Sequence, residues 1–542
     1  MTATAAAATI VVNTTADTLA GMNTANVAAF NASATRSLRG AIIAVNNDSG
    51  SGHTISLAAG TYTLSLVNAT VATEENAAAT GDLDILKPVT IAGAGSATTV
   101  IQAGTTTADG IDKVFSVNPQ GVATGFAVSL TGLTLRYGRN QITAIVPGNN
   151  AGGAMDFDAG VAGSGSLALT DVVFDQNSTT NGDGGALALF NGGTITATNC
   201  GFTGNKAQST SGFGALGGAV FVGTTTNPLS LTFTQCLLAT NCTVIGTGGT
   251  AGSGGAVFSF KATPTTFSIT NSRIVGNVAA VGAPALAAST ITGAAINAAN
   301  NWFGTNAPSA SLFGGSVTYS PNLVLTLAAT PTTVVAEQTT AAIVAGITTN
   351  SAGATGFSVP DSTPVAFVAA LGTISPATAT LEAGRKAATY TPTAWLGTGS
   401  ASATIDNETV AATLTIVSPF RGWQVANFAA AADDAAIAGE ASDPDHDGLC
   451  NLIEYALGLD PNVFTLTSVV VDTTTGALRL TAPKNPGARD ITYIVEVSRD
   501  LVVWTSDGLT VETNSASLLR VRDNTPLNGA ARRFIRLRLT HP

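Results

Sequence analysis

Four carboxylates, an asparagine and a glycine fall within the twelve residues "DPDHDGLCNLIE" (443–454), in a chain of which only 10% is Asp, Glu, Lys or Arg. Counted from Asp443 as position 1, the acids stand at positions 1, 3, 5 (Asp445, Asp447) and 12 (Glu454), with Gly448 at 6 and Asn451 at 9. A hard cation such as Ca²⁺ takes about six to eight oxygens. Here the Asp side chains, the Leu449 carbonyl at position 7, Asn451 and a two-oxygen grip from Glu454 would supply them, while glycine at 6 permits the sharp turn. The competing account is an Asp-rich turn without an ion, in which four neighbouring carboxylates repel one another.

The order D-x-D-x-D-G-x5-E resembles the calcium loop of an EF-hand. The residues after it, "NLIEYALGLDP", predict a helix with Leu452, Tyr455, Ala456 and Leu459 on one stripe and Asp460-Pro461 as its stop. Upstream, "FRGWQVANF" is the candidate partner helix.

A second group that could do chemistry is acidic: Asp156, Asp158, Asp171, Asp175 and Asp183, with Arg136 and Arg139 one repeat earlier. Asp156 and Asp158 alternate onto one strand face. Paired carboxylates about 5–9 Å apart can share acid and base roles in glycoside hydrolysis. The plainer account makes Asp171 a bend residue, and Asp175 and Asp183 turn formers. Of the four cysteines, Cys200 and Cys236 hold the same slot in adjacent repeats, either as a disulfide (with Cys242 as a rival partner) or as stacked free thiols. Cys450 reads as a helix-packing residue, and no paired C-x-x-C spacing points to a metal. The terminal arginines 532, 533, 536 and 538 would meet an anionic glycan or form a solvated strand face, the second being favoured.

The elements that must carry these residues are repetitive. "TGLTLRYG", "TDVVFDQN", "TNCGFTGN", "TQCLLATN" and "TNSRIVGN" begin at Thr131, Thr170, Thr198, Thr234 and Thr270, so the spacings are 39, 28, 36 and 36. A Gly-Gly-Ala word interleaves at 152, 184, 217 and 254. Units of this length, made of short strands, cannot bury an apolar face alone and must stack, about 4.8 Å apart, as a parallel β-solenoid. Alternation turns Leu167, Leu169, Val172 and Phe174 inward around a bend at Thr170-Asp171. Ile195, Cys200 and Phe202 match them on the next coil, then Leu231, Phe233, Cys236 and Leu238. Asn177, Asn205, Asn241 and Asn277 suit an internal amide ladder.

The pairing of F-x-x-N (Phe174 to Asn177, Phe202 to Asn205) with Gly-Gly-Ala resembles the polymorphic outer membrane protein repeat, carried on right-handed parallel β-helices of the pectin-lyase-like class. "RSLRGAI" (36–42) resembles the C-S-L-R-E-A-I segment that opens many secreted β-helices, with Arg36 and Gly40 departing from its Cys and Glu. "GDLDILKPVTIAGAG" and "NNWFGTNAP" look like the same family. After about Val324, alternating strands with turn signals every ten residues are similar to the bacterial Ig-like repeats of invasin-type proteins. The expected fold is all-β: a parallel β-helix over 1–320, an Ig-like β-sandwich over 321–418, a helical calcium segment over 419–462, and a C-terminal β-sandwich over 463–542.

With 542 residues and a formal charge of −11, the chain is multidomain, and no basic domain emerges to neutralise phosphates, which argues against nucleic acid as partner. No apolar run reaches the roughly 18 residues of a membrane-spanning helix. "MTATAAAATIVVNTTADT" lacks the basic and apolar regions of a signal peptide, so either an export signal has already been removed and Met1 added in its place, which is the favoured expectation, or export uses another route. These residues lead to a secreted or cell-surface bacterial protein, structural or adhesive and not catalytic, with Ca²⁺ as its ion. Its partner is a cell-surface glycan, another protein or itself, the apolar "ATIVV" adding as a strand to a neighbour in a fibre or capping its own helix. The alternative function is polysaccharide processing, lyase or glycoside hydrolase, with the tail modules serving attachment.

Overall fold

The strand Ser166–Asp175 contains the logic of the first 320 residues. Leu167 and Leu169 point inward; Asp171 then takes a left-handed backbone conformation (φ 51°), which shifts the alternation so that Val172 and Phe174 point inward too. Asn199, Gln235 and Asn271 repeat this bend at φ 53–54°. The computed structural model describes all residues except 1–5, 20–25, 69–73, 120, 122–123, 142–150, 210–213, 224–226, 247–251, 262–264, 467–468, 475, 530–531 and 542. Met1 therefore lies outside the described residues.

Among the described residues these coils stack into a parallel β-solenoid. Its largest sheet runs from Thr9–Val11 through Val89–Ala92, Ser166–Asp175 and Leu229–Thr234 to Ser316–Thr318. A second sheet of eight strands runs from Leu83–Ile85 to Phe313–Gly314, and a third joins Arg139–Asn140, Ser178–Thr179, Lys206–Ser209 and Cys242–Ile245. Phe174 pairs with Phe202, and Phe202 with Leu238, in register. The Phe174 and Phe202 rings stack 4.8 Å apart, the distance between coils.

The Gly-Gly-Ala word has a steric cause. Its first glycine is left-handed at each coil (Gly152, Gly184, Gly217 and Gly254, φ 64–74°). A Cβ on the second would lie 2.2 Å from the carbonyl oxygen of Gly185 for Gly153, and 2.1 Å from that of Gly255 for Gly218. Only glycine lets the coils close there. The asparagine ladder forms as expected: Asn177 Nδ2 donates to Asn205 Oδ1 (3.0 Å), Asn205 Nδ2 to Asn241 Oδ1 (2.9 Å) and Asn241 Nδ2 to Asn277 Oδ1 (2.9 Å).

The N-terminal end of the solenoid is covered in cis. Thr9–Val11 pairs parallel with His53–Ser56. Its carbonyls at Thr9 and Val11 accept bonds from Asn31 Nδ2 and Arg36 Nε. The helix Leu38–Asn47, capped by Ser37, buries Ile42 and Val45 against the same core. At the other end Trp302 leaves the last coil and joins the core of a sandwich made by a four-stranded sheet (Leu323–Thr330, Ala341–Asn350, Arg385–Pro392, Gly372–Ser375) and a five-stranded one. Its indole Nε1 donates to Asp406 Oδ2 (2.7 Å), which also accepts from Arg273 Nε of the solenoid (3.0 Å).

Helix Pro419–Phe428 follows, begun by the Ser418 cap and ended before a short helix at Ala435–Ala438. Helix Asn451–Leu457 packs on it through Tyr455 against Phe420 and Trp423. Two antiparallel sheets complete the chain, one of four strands between Val470 and Asp523 and one pairing Thr492–Ser498 with Phe534–Thr540. Their common core of Leu480, Val495, Leu519 and Val521 takes in Leu457 from the helix. No helix among the described residues is long and apolar enough to cross a membrane.

Candidate metal centre

The loop 443–454 folds around its own acids. Oxygens of Asp443, Asp445 and Asp447 lie within 4.8 Å of one another. Backbone amides hold them: Asp447 N donates to Asp443 Oδ1 and Asp445 Oδ1 (both 3.2 Å), and Gly448 N to Asp443 Oδ2 (3.0 Å). Gly448 is left-handed (φ 89°), as position 6 requires. Glu454, on the helix Asn451–Leu457, is fully buried, and neither carboxylate oxygen has a hydrogen-bond partner. Burial, with Asp445, Asp447 and Asp443 adding repulsion, pushes its pKa up to about 7. Asp445 is also raised by desolvation and by Asp447 and Asp443, against the bond from the Asp447 amide.

Asn451 is buried; its Nδ2 donates to the carbonyls of Ile437 (2.8 Å) and Gly439 (2.9 Å), while its Oδ1 has no partner. Buried oxygens without partners are rare and call for an ion or water. The donor set is all oxygen and suits Ca²⁺. Asp443, Asp445, Asp447, Glu454 and the Leu449 carbonyl would hold the ion, with Asn451 at position 9. When bound, it would supply the charge that balances these carboxylates. The chain's own contribution is position: Asp447 Oδ2 also accepts from Thr465 N (2.9 Å), tying the loop to the entry of the C-terminal sheets.

The five acids that spacing singled out in the solenoid each make a bond to a neighbouring group of the protein. Asp156 and Asp158 share a strand face but do not pair with each other. Asp156 is buried, with Oδ1 3.0 Å from Lys113 Nζ and Oδ2 accepting from Ser116 Oγ (3.1 Å). Asp158 accepts from Asn191 Nδ2 through both oxygens (2.9 and 2.8 Å) and from Gly160 N (2.8 Å). Asp171, at the bend, accepts from Ser96 Oγ and N. Asp175 accepts from Thr203 Oγ1 (2.9 Å). Asp183 accepts from Leu216 N (2.8 Å), and burial raises its pKa to about 7 against that bond. Arg136 donates to Gln102 Oε1 and Arg139 to the Ala108 carbonyl.

Cys200 and Cys236 are stacked, buried free thiols, and burial followed by the neighbouring Cys200 raises the Cys236 thiol well above its usual pKa. Cys242 and Cys450 are free as well, Cys450 standing at the N-cap of the helix Asn451–Leu457. Of the terminal arginines, Arg536 and Arg538 pair with Glu496 across the sheet, and Arg533 with Asp523. Arg536 also lies 4.0 Å above the Trp504 ring, and Arg532 is exposed.

Spacing alone did not point to a second polar cluster. Lys113, 1% exposed at its side chain, has Nζ 2.7 Å from Glu74 Oε1, 3.0 Å from Asp156 Oδ1 and 3.9 Å from Asp82 Oδ2. Burial raises Glu74 to about 7 and Asp84 to about 8. The available signal was "EENAAATGDLD" (74–84), four acids within eleven residues of a charge-poor chain.

No protein-family model matches this sequence, and no curated protein matches it. Among solved structures the chain is similar to invasin, a bacterial integrin-binding protein, at 14% identity over 40% of this chain and 36% of that one (TM-score 0.16). It is similar to the Yersinia pseudotuberculosis adhesin InvE at 15% identity over 40% and 58% (TM-score 0.17). A third likeness is to domains 1–6 of the surface layer protein SbsC, at 13% identity over 38% and 23% (TM-score 0.14). The chain thus covers between 23% and 58% of these structures.

Proposed function

We propose that this is a bacterial cell-surface or extracellular protein that works by contact, as a structural or adhesive element, and not by turnover. One observation carries the reading: each of the five acids that could have served as a catalytic pair makes a local structural bond, Asp156 to Lys113 and Ser116, and Asp158 to Asn191 and Gly160. A general acid or base must be free to reach substrate. The joints between modules support the same reading. Asp406 is held by both Trp302 and Arg273, and Gln338 Nε2 donates to the Gly487 carbonyl (2.6 Å) between the sandwich and the C-terminal module. Ca²⁺ at the 443–454 loop would stiffen the last joint through Asp447 and Thr465.

Thr9–Val11 pairs on one side with His53–Ser56 and ends its sheet, so assembly through this strand, as part of the proposal, would use its other edge. Incubation with pectate, alginate and neutral glycans, followed by a count of new chain ends, tests the central claim. No ends above the buffer rate are expected. Depolymerisation abolished by Asp156→Asn or Asp158→Asn would overturn the reading.

A further inference from the structure

The strands of the third solenoid sheet pair parallel and in register, so Arg139, Ser178, Lys206 and Cys242 form one file across four coils. With coils about 4.8 Å apart, Arg139 and Lys206 stand about 10 Å from each other along the solenoid axis. The file lies in a groove of about 580 Å³, lined as well by Gln176, Thr180 and Gln208. Thr107 and Ala108 bound it next to Arg139, on a loop that the protein holds in place. Arg139 Nη1 donates to the Ala108 carbonyl (2.8 Å) and Gln141 Nε2 to the Gly110 carbonyl (2.8 Å), while Asp109 accepts from the amides of Thr105 (3.0 Å) and Thr106 (2.7 Å). No Asp or Glu is among the described residues that line the groove. Elsewhere in the solenoid Arg39, Lys113 and Arg273 meet carboxylates of the chain itself: Asp17, Glu74 with Asp156, and Asp406. Arg139 and Lys206 form no ion pair among the described residues, and the carbonyl that Arg139 meets is neutral. In a chain of formal charge −11 the groove is a local reversal of sign.

We propose that this groove binds a segment of an acidic polysaccharide lying along the solenoid axis, with its anionic groups on Arg139 and Lys206. The groove gives the contact function above a partner, and so rests on that reading. An extended glycan repeats its sugar residues at close to the spacing of the coils, so acid groups on alternate residues come into register with the two cations. Arginine offers a fork to two oxygens of a carboxylate or sulfate, and lysine a point charge. Sugar hydroxyls need partners that both donate and accept, which the hydroxyls of Ser178 and Thr180 and the amides of Gln176 and Gln208 supply. A nucleic acid fits less well, since affinity for its backbone comes from neutralising many adjacent phosphates, and the groove has two cations.

The test is calorimetric titration of the full chain at low salt, with EDTA present so that no divalent ion bridges protein and glycan. The ligands are polymannuronate oligomers, dextran sulfate, neutral laminarin and oligothymidylate. Polymannuronate or dextran sulfate is expected to bind, the tighter of the two showing whether carboxylate or sulfate is preferred, and laminarin is not. Lys206→Gln removes a charge that forms no ion pair among the described residues. It is expected to weaken binding about ten-fold, as loss of a hydrogen bond to a charged group does, and Lys206→Arg to restore it. Arg139→Gln is expected to weaken binding about as much, and Arg532→Gln, at an exposed C-terminal arginine, to change nothing. Binding that Lys206→Gln leaves intact, tighter binding of oligothymidylate, or no binding of either acidic glycan overturns the proposal. New chain ends counted in the same mixtures keep the two readings apart. Binding with cleavage supports the groove and overturns the contact function, whereas neither binding nor cleavage overturns the groove alone.

Discussion

Glu454 shows how one residue can answer to two different environments. Its carboxylate is buried beside three aspartates and has no hydrogen-bond partner, so it is costly as an anion unless a cation balances it. At calcium about 100-fold above the dissociation constant, binding stabilises a folded chain by about 2.7 kcal/mol per site. Glu454→Gln is expected to lose that share of the calcium-dependent rise in melting temperature, read by calorimetry with and without chelator; an undiminished rise would remove the loop as a site. Asp183 makes the parallel case without an ion. Its pKa is raised by burial to about 7, above the usual carboxylate value, so the folded chain binds a proton there that the unfolded chain releases. The stability this contributes is complete below about pH 4 and is lost as pH rises through 7, on the order of 4 kcal/mol at most. Asp183→Asn keeps an acceptor for Leu216 N and is expected to lose less melting temperature between pH 5 and 8.5 than the wild type. Equal losses would place Asp183 in water.

At the scale of the element, the solenoid coil rests on two internal columns, one apolar and one of amides. Phe202 is fully buried between Phe174 and Phe233, with ring centroids 4.8 and 5.6 Å away. Phe202→Ala is expected to cost about 3–5 kcal/mol, and Phe202→Asp more, since it buries an unpaired charge. A soluble Phe202→Asp chain with unchanged denaturant midpoint would show the inward face to be misassigned. In the amide column, Asn205 Oδ1 accepts from both N and Nδ2 of Asn177, and its Nδ2 donates to the Phe174 carbonyl (2.9 Å) and to Asn241. Asn205→Ala strands buried groups on both neighbouring coils, at about 1–3 kcal/mol for each group left unsatisfied. Urea unfolding measures both variants.

For the whole molecule, the joint at Asp406 is expected to couple the unfolding of solenoid and sandwich, beside the bonds from Gln235 to Ser358 and from Asn306 to Glu408. Asp406 accepts from Trp302 and Arg273, two groups on the last coils, while Trp302 is fully buried among sandwich residues. Asp406→Ala leaves an indole N–H and a guanidinium without their partner, and hydrogen bonds to charged groups contribute about 1.5–3 kcal/mol each. Differential scanning calorimetry is expected to resolve a separate sandwich transition in this variant. A single unsplit transition at the wild-type temperature would show that the modules are coupled elsewhere.

The order of these scales is also the order of legibility. Coil faces, the bend at Asp171, the asparagine ladder and the acid spacing of the 443–454 loop could all be read from the sequence by itself. Each depends on neighbours along one short segment or on a repeat that places identical residues one coil apart. The Gly-Gly-Ala word was visible as a repeat, yet its cause, carbonyls approaching to about 2.2 Å of a missing Cβ, belongs to the stacked coils. Tertiary structure alone decided the fate of Asp156, which alternation put on a strand face beside Asp158 and which folding placed against Lys113, 43 positions earlier in the chain. It alone gathered Glu74 and Asp82 around that ammonium, and sent Trp302 from the last coil into the next module's core. A strand's alternation is set by local sterics and survives in the sequence as a period. Which charge meets which across coils depends on how loops of unequal length return the chain, and that leaves no period to read.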